Sequence, residues 1–330
     1  MSTAQNAGEG ATVLPPKKSR TGLYIGIAVA AIVAIVAAVL VFVNLNSNAA
    51  PAAGGSDTGA ITEGLGSPDQ PVRLGTVGAS EEYWTTFTEA AAAEGISLEV
   101  INFDSYPEPN PALAAGDLDI NQFQHIVYLG EHEANNNDGL VPIGATAIYP
   151  LGLYSTEFGS VDEIPAGSTV AIPDDPSNLA RGLLILQSAG LVEIEGGGSI
   201  FATLDQVLPS SKVKVTTLEA ALTVTSLPDV AAAIINNDFL ADAGLTAEDA
   251  LAKDDPSDPN ALPYVNIFAV NEKDKDNAVL LKLVEIFQNS QDVLDGVQET
   301  SGGTAVFLKV AVADLEASLE KVIADNKAQG

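Results

Sequence analysis

The chain has no cysteine. Disulfides, thiolate metal sites and cysteine nucleophiles are excluded together, and so is a lipid anchor attached through a cysteine. Basic residues are scarce, 14 against 44 acidic ones, for a formal net charge of −30. A chain so negative is repelled by nucleic acid and by anionic headgroups. Neither is expected as a partner, and the charge instead keeps an exposed domain soluble. There are two histidines, His125 and His132, and aromatics make up only 5% of the residues.

Catalytic signatures are missing as well. There is no G-x-S-x-G, no P-loop, no complete dinucleotide G-x-G-x-x-G and no H-E-x-x-H. Gly64-Leu65-Gly66 lacks the strand and helix that a nucleotide loop needs. His125 and His132 are seven apart and would share one helix face, with Glu131 and Glu133 beside the second. A solvated acidic face accounts for that grouping better than a metal site. Close pairs such as Asp254-Asp255 are expected by chance among 44 carboxylates. No catalytic residue, metal or cofactor is expected. An acid/base enzyme built on His125 would need a carboxylate partner that the sequence does not supply.

What is present begins with a hydrophobic run. Residues 1–20 are polar and end in Lys17, Lys18 and Arg20. Leu23 to Val43 is uncharged and apolar, about 21 residues or roughly 31 Å as helix, which matches a bilayer core. The basic cluster before it predicts an inside N-terminus and an outside remainder. We read 1–20 as a cytoplasmic tail and 21–43 as a retained transmembrane anchor. A cleaved signal peptide is the alternative, with Ser47-Asn48-Ala49 as its cleavage site, but the run exceeds the usual ~7–15 apolar residues. Residues 44–70, rich in Ala, Gly, Ser, Asn and Pro, read as a flexible linker spanning about 30 Å.

From Val72 onward, short apolar runs alternate with helical patterns. Strands are expected at Val72–Val77, Leu98–Phe103, Leu118–Phe123, Val141–Ile148, Leu151–Tyr154, Thr169–Ile172, Lys212–Thr217, Val230–Ile235 and Val265–Val270. Helices are expected at Glu81–Glu94, Asn110–Ala115, His125–Asn135, Pro176–Ala189, Leu218–Thr225, Asn277–Asn289, Asp292–Glu299 and Ala313–Asn326. Such alternation implies α/β lobes with largely parallel sheets. Pro150 and the loop Asp254–Pro263 are candidate hinges. They divide the chain into a first lobe, 71–148 plus 263–330, and a second, 149–262.

Three groups of residues are candidates for a site. Arg181 follows the helix-start cluster Asp174-Asp175-Pro176-Ser177-Asn178, where the macrodipole disfavours a cation. It has either a nearby Asp as partner or a ligand carboxylate held by its guanidinium fork. Tyr106, Phe123, His125 and Tyr128 concentrate aromatic character in 23 residues, as core packing or as a ligand wall. Asn236 and Asn266 lie at strands of an α/β sheet, as turn formers or as liners of the crevice where ligands bind.

At these residues the chain resembles the methionine-binding, NlpA-type lipoprotein family of ABC-import receptors. The resemblance rests on Asp104-Ser105-Tyr106 with Pro109-Asn110, on DINQFQHIVYL from Asp119 to Leu129, on VAIPDDPSNLARGLLILQ from Val170 to Gln187, on Val230 to Asn236 and on PYVN from Pro263 to Asn266. It covers roughly 72–300. The resemblance implies a two-lobed periplasmic-binding-protein clamshell of type II-like form, not an enzyme. It implies capture of methionine or a similar small amino acid outside the membrane for an ABC permease and its ATPase. By the same resemblance Arg181 binds the ligand carboxylate, and Asn236 and Asn266 hold its amino and carboxylate groups. Tyr106, Phe123, His125 and Tyr128 enclose its side chain. The chain departs from the family in three places. It lacks the lipid-attachment cysteine, the usual Pro-His is replaced in Gly78-Ala79-Ser80-Glu81, and a helix is added after Ser301. The last two leave open another small amino acid or a short peptide as ligand. A surface adhesion or signalling module with a vestigial pocket is the remaining alternative.

Overall fold

Two five-stranded sheets organise the chain; Ile120–His125 in the first and Ala232–Ile235 in the second are buried at every position. The computed structural model describes residues 60–329. The expected cytoplasmic tail and anchor, 1–20 and 21–43, and most of the expected linker lie outside the described residues. Among those described, no helix is long and apolar enough to cross a membrane.

The first sheet contains β1 (Val72–Val77), β2 (Leu98–Phe103), β3 (Ile120–His125), β4 (Leu140–Ala145) and a strand from much later in the chain, β11 (Asn266–Asn271), in the order β2-β1-β3-β11-β4. The second contains β6 (Gly152–Tyr154), β7 (Thr169–Pro173), β8 (Lys214–Leu218), β9 (Ala232–Ile235) and β10 (Ala252–Lys253), in the order β10-β6-β9-β7-β8. A small third sheet pairs β5 (Ala147–Ile148) with β12 (Val306–Phe307). The fold is a mixed α/β, two-lobed one of the periplasmic-binding-protein kind. The chain passes from the first lobe to the second between β5 and β6 and returns between β10 and β11.

The sheets are less parallel than the strand–helix alternation suggests. β1 pairs in parallel with β2 and β3, and β7 with β8 and β9. However, β11 runs antiparallel to both β3 and β4, and β6 runs antiparallel to both β9 and β10. The reason is topological: β11 and β6 enter their sheets from a crossover between lobes, not from a right-handed helical crossover within one lobe.

Helices cover both sheets. On the first lobe these are α1 (Glu82–Ala93), α2 (Pro109–Ala115), α3 (Ile126–Asn136), α6 (Ala278–Asn289) and α7 (Gln291–Thr300). On the second they are α4 (Pro176–Ser188) and the single turn α5 (Ala220–Thr223). The first lobe's core includes an aromatic cluster in which Phe87 and Phe268 both meet the ring of Phe287 edge-on, each at 5.3 Å. Such pairs contribute about 0.5–1.5 kcal/mol each beyond their buried area. In the second lobe Leu153, Val170, Ile172, Leu183, Leu186 and Ile234 form the equivalent core.

Residues 60–70, expected as the end of the linker, pack onto the first lobe. Ile61 N–H donates to Gly95 O at 2.9 Å, Ser97 N–H donates to Gly66 O at 2.7 Å, and Ile61 and Leu65 lie against the core. The added C-terminal helix, α8 (Val312–Lys327), buries Leu315, Leu319 and Val322 with Ile126, Val127 and Leu129 of α3. A Cβ at Gly130 would come within 2.5 Å of Val322 Cγ1. Only glycine therefore lets these two helices approach so closely.

Candidate functional site

All seven residues singled out in the sequence, Tyr106, Phe123, His125, Tyr128, Arg181, Asn236 and Asn266, line one cleft between the lobes. Its atom-free space, with the open mouth included, is ≈ 430 Å³. It is narrow, and the centre of a water molecule has only ≈ 30 Å³ to occupy.

The first-lobe wall follows from the end of β3. His125 is not part of a helical face shared with His132: it precedes α3 as its N-cap, and its Nδ1 accepts the Tyr128 N–H at 3.1 Å. That acceptor role makes Nδ1 the unprotonated nitrogen, so Nε2 carries the hydrogen and points it at Asn178 Oδ1, 3.4 Å away. Burial, and then the charge of Arg181, push the imidazole down to about 3. His125 is therefore neutral and acts as a donor, not as a general base near neutral pH. His132 is elsewhere, paired with Asp138 at 2.9 Å. The rings of Tyr106, Phe123 and Tyr128 stand in a triangle with centroids 5.8–6.0 Å apart. They pack on each other and also line the cleft. Strand register sets Asn266 directly beside His125.

The second-lobe wall follows from the start of α4. Asp175 caps the helix by accepting the Asn178 N–H at 2.9 Å, and Pro176 occupies its first turn. Asn178 and Arg181 are three apart and share the face turned to the cleft. Asn178 Oδ1 also accepts from Asn236 Nδ2 at 3.2 Å, while its own amide donates to both oxygens of Asp175. Asn236 follows the end of β9, and its Oδ1 is buried with no hydrogen-bond partner. A buried acceptor left unmatched is costly.

Arg181 has an internal partner. Its Nε donates to Asp254 Oδ2 at 2.6 Å, its Nη2 donates to Tyr149 O at 2.8 Å, and its guanidinium sits 4.5 Å from the Tyr264 ring centroid. A guanidinium has five N–H donors. These two bonds leave three, on a side chain that lines the cleft.

Cleft residues that escape the sequence reading include Gln124, Tyr149, Asn178, Asp238 and Tyr264. Asn178 was visible only as a helix-start residue and Tyr264 only as a neighbour of Asn266. Asp238 carries no sequence signal among so many carboxylates. Burial pushes Asp238 up to about 6 and Tyr264 up to about 12.

A two-lobed α/β receptor whose cleft is lined by amides, aromatics and one arginine is a substrate-binding component of an ABC importer, a non-catalytic transport protein whose domain works outside the cytoplasm. The NlpA lipoprotein family model matches residues 72–307, and the chain belongs to that family. "D-methionine-binding lipoprotein MetQ" of Yersinia pestis is 36% identical over 241 residues, 71% of this chain and 87% of that protein. Among solved structures, a nutrient-binding protein from Burkholderia cenocepacia bound to methionine is 36% identical with a TM-score of 0.66, covering 72% of this chain and 99% of the other. Protein PG110 from Staphylococcus aureus is 30% identical with a TM-score of 0.72, covering 76% and 99%.

Proposed function

We propose that this chain captures methionine, or a small amino acid close to it, in the inter-lobe cleft and delivers it to a membrane permease driven by its ATPase. The observation that carries the reading is the meeting of Arg181, Asn236, Asn266 and the ring triangle on one cleft. The free donors of Arg181 suit a carboxylate, the Asn236 Oδ1 acceptor suits an amino group, and Tyr106, Phe123 and Tyr128 suit an apolar side chain. The Burkholderia cenocepacia relative is described as bound to methionine and the Yersinia pestis one as D-methionine-binding. In this reading the lobes are 71–148 with 263–330, and 149–262, and they close on the ligand about the two crossovers. Mass spectrometry of ligand co-purified with the full-length protein, followed by calorimetry with both methionine enantiomers, tests it. Failure to bind any member of an amino-acid panel would leave an adhesion or signalling module.

A short peptide is the second reading. A further pocket adjoins the first and shares Phe123, Tyr149, Asn237, Asp238 and Asn266 with it. A dipeptide bound more tightly than any free amino acid would favour it.

The N-terminal segment completes the proposal. An uncharged run after Lys17, Lys18 and Arg20, in a chain with no cysteine, supports a single retained helix at 21–43 holding the receptor in the membrane, with the linker beyond it. Resistance to carbonate extraction with Met1 intact is expected. A mature chain starting near Ala50 overturns it.

A further inference from the structure

Charge is unevenly matched within the cleft. Arg181 on its wall already has Asp254 at 2.6 Å, so that pair is close to neutral as a unit. Asp238 faces the same cleft, and none of the ion pairs among the described residues includes it. Its Oδ2 accepts from the Tyr106 hydroxyl at 2.6 Å and its Oδ1 from the Asn237 amide at 3.0 Å. A carboxylate has about four lone-pair sites, so each oxygen keeps capacity to accept. Two residues earlier in the same turn, Asn236 Oδ1 is a buried acceptor with no donor. Both acceptors line the one cleft. An ammonium group answers both together, since it has three donors and one positive charge. A hydroxyl or amide ligand group would satisfy the hydrogen bonding but leave the charge of Asp238 unpaired, which is costly away from water.

We propose that Asp238 is the counter-ion for the ammonium group of the bound amino acid, so that the ligand's two charges are held by Arg181 at one end and Asp238 at the other. The proposal rests on the amino-acid reading above and adds to it a residue that selects for the free amine. It separates the two walls by charge: a molecule with the carboxylate and side chain of the ligand but no amine loses its partner at Asp238 alone.

The groups facing Asp238 come from three other segments. They are Tyr106 after β2, Glu81 and Tyr83 at the start of α1, and Tyr149 in the crossover, with Arg181 and the neutral His125 on the same cleft. Burial raises each of these tyrosines, so they stay neutral. For Asp238, burial raises the carboxyl to about 6, opposed by the Tyr106 hydrogen bond and assisted by the charge of Glu81. Only the ionised form pairs with an ammonium. Affinity for an amino acid therefore falls as pH drops below about 6.

Calorimetry on the full-length protein tests this, with L-methionine and its des-amino analogue, which keeps the carboxylate and thioether and lacks the ammonium. Wild type and Asp238→Asn are compared at about pH 7.5 and about pH 5; the asparagine keeps the shape and an acceptor for Tyr106 but removes the charge. The wild type is expected to bind L-methionine about tenfold more weakly at the lower pH. Asp238→Asn is expected to bind it at least about tenfold more weakly than wild type at the higher pH, with no pH dependence. The analogue should bind Asp238→Asn at least as tightly as wild type at the higher pH, because it leaves the ionised Asp238 unpaired, and wild type should bind it no more weakly at the lower pH. If Asp238→Asn weakens L-methionine and the analogue equally, Asp238 serves only as a partner of Tyr106 and the proposal is overturned. Unchanged L-methionine affinity in Asp238→Asn overturns it as well. Absence of binding by the wild type to L-methionine, D-methionine and every other member of the amino-acid panel is a separate result, which overturns the amino-acid reading and this proposal with it.

Discussion

Arg181 and Asp254 meet at 2.6 Å, 73 residues apart in sequence, and the contact joins α4 to the segment by which the chain leaves the second lobe. The same guanidinium holds the Tyr149 carbonyl in the other crossover. Arg181 thus braces both connections between the lobes while lining the cleft. The helix-dipole penalty expected from its position is offset by these partners, so its removal affects more than binding. Arg181→Ala is expected to lower the melting temperature and to cost about 3–5 kcal/mol, the scale for breaking a buried pair. It should also abolish tight methionine binding. Arg181→Lys should restore part of the stability but little of the affinity, because the fork geometry is lost. Melting curves and calorimetry on the two variants separate these effects; a variant that melts early yet binds normally makes Arg181 a brace alone.

Asn178 is the hub of the polar wall. Its Oδ1 takes hydrogen bonds from Asn236 and from His125, on opposite lobes. Asn178→Ala removes the acceptor for both and the side-chain amide that donates to Asp175, whose carboxylate keeps the backbone N–H of residue 178 and the Ser177 hydroxyl. A loss of about 1–3 kcal/mol in stability is expected from the unmatched groups, together with weaker methionine binding. Asn236→Ala removes one donor and should cost less stability. Equal melting temperatures for wild type and Asn178→Ala would contradict this.

Two buried groups give the fold opposite responses to pH. His125 has its pKa lowered from 6.5 to about 3 by burial and by Arg181. Between those values the unfolded chain takes up a proton that the native one does not. This contribution is present above about pH 6.5 and is lost as pH falls toward about 3, with a slope of up to about 1.4 kcal/mol per pH unit. His125→Asn, which keeps a capping acceptor, should unfold at lower pH than wild type. Asp238 is raised from 3.8 to about 6, so its native form holds a proton that the unfolded form has lost. Its contribution is present below about pH 3.8 and is lost as pH rises through about 6. Ligand-free Asp238→Asn is therefore expected to melt higher than wild type near neutral pH and to converge with it in acid. Melting temperatures across pH for both variants check the two signs.

The ring triangle predicts a milder effect. Phe123→Ala and Tyr128→Ala each remove apolar surface facing the cleft and should weaken methionine binding by roughly 1–3 kcal/mol. Because Phe123 and Tyr128 also contact Tyr106, some stability is lost with the affinity. Normal affinity in both variants, measured by calorimetry, would assign these rings to packing.

The contiguous βαβ portions of the fold were legible because their signals are local. Val72–Val77, Leu98–Phe103 and Pro176–Ser188 announce themselves by apolar runs, by Pro176 and by the Asp175 cap. β5 lies within the strand expected at Val141–Ile148, but its separation from β4 and its pairing with β12 were not legible, since nothing within Ala147–Ile148 or Val306–Phe307 reveals a partner more than 150 residues away; the two-residue β10 was missed as well. The antiparallel placement of β11 is non-local for the same reason. Within the site, Arg181 and the aromatic group stood out by their scarcity in this composition. Asp238 and Tyr149 did not, because their position depends on which loops the crossovers bring face to face. His125 was misplaced on a helix face because the strand extends two residues further than the apolar pattern indicates, leaving the imidazole as the cap.

The insertion of β11 between β3 and β4 bears on the order in which the molecule can assemble. A chain emerging N-terminus first presents β1 to β4 long before residues 266–271 exist, and β4 has no neighbour in its sheet other than β11. Meanwhile the five strands of the second sheet lie within residues 152–253 and are complete without help from either flank. The second sheet thus needs no strand from outside its own stretch of chain, while the first lacks the strand that joins β4 to β3. Long-range pairing of this kind slows folding and exposes strand edges to the wrong partners. For a receptor that works outside the cytoplasm, β4 therefore joins its sheet only once the segment 266–271 is on the same side of the membrane.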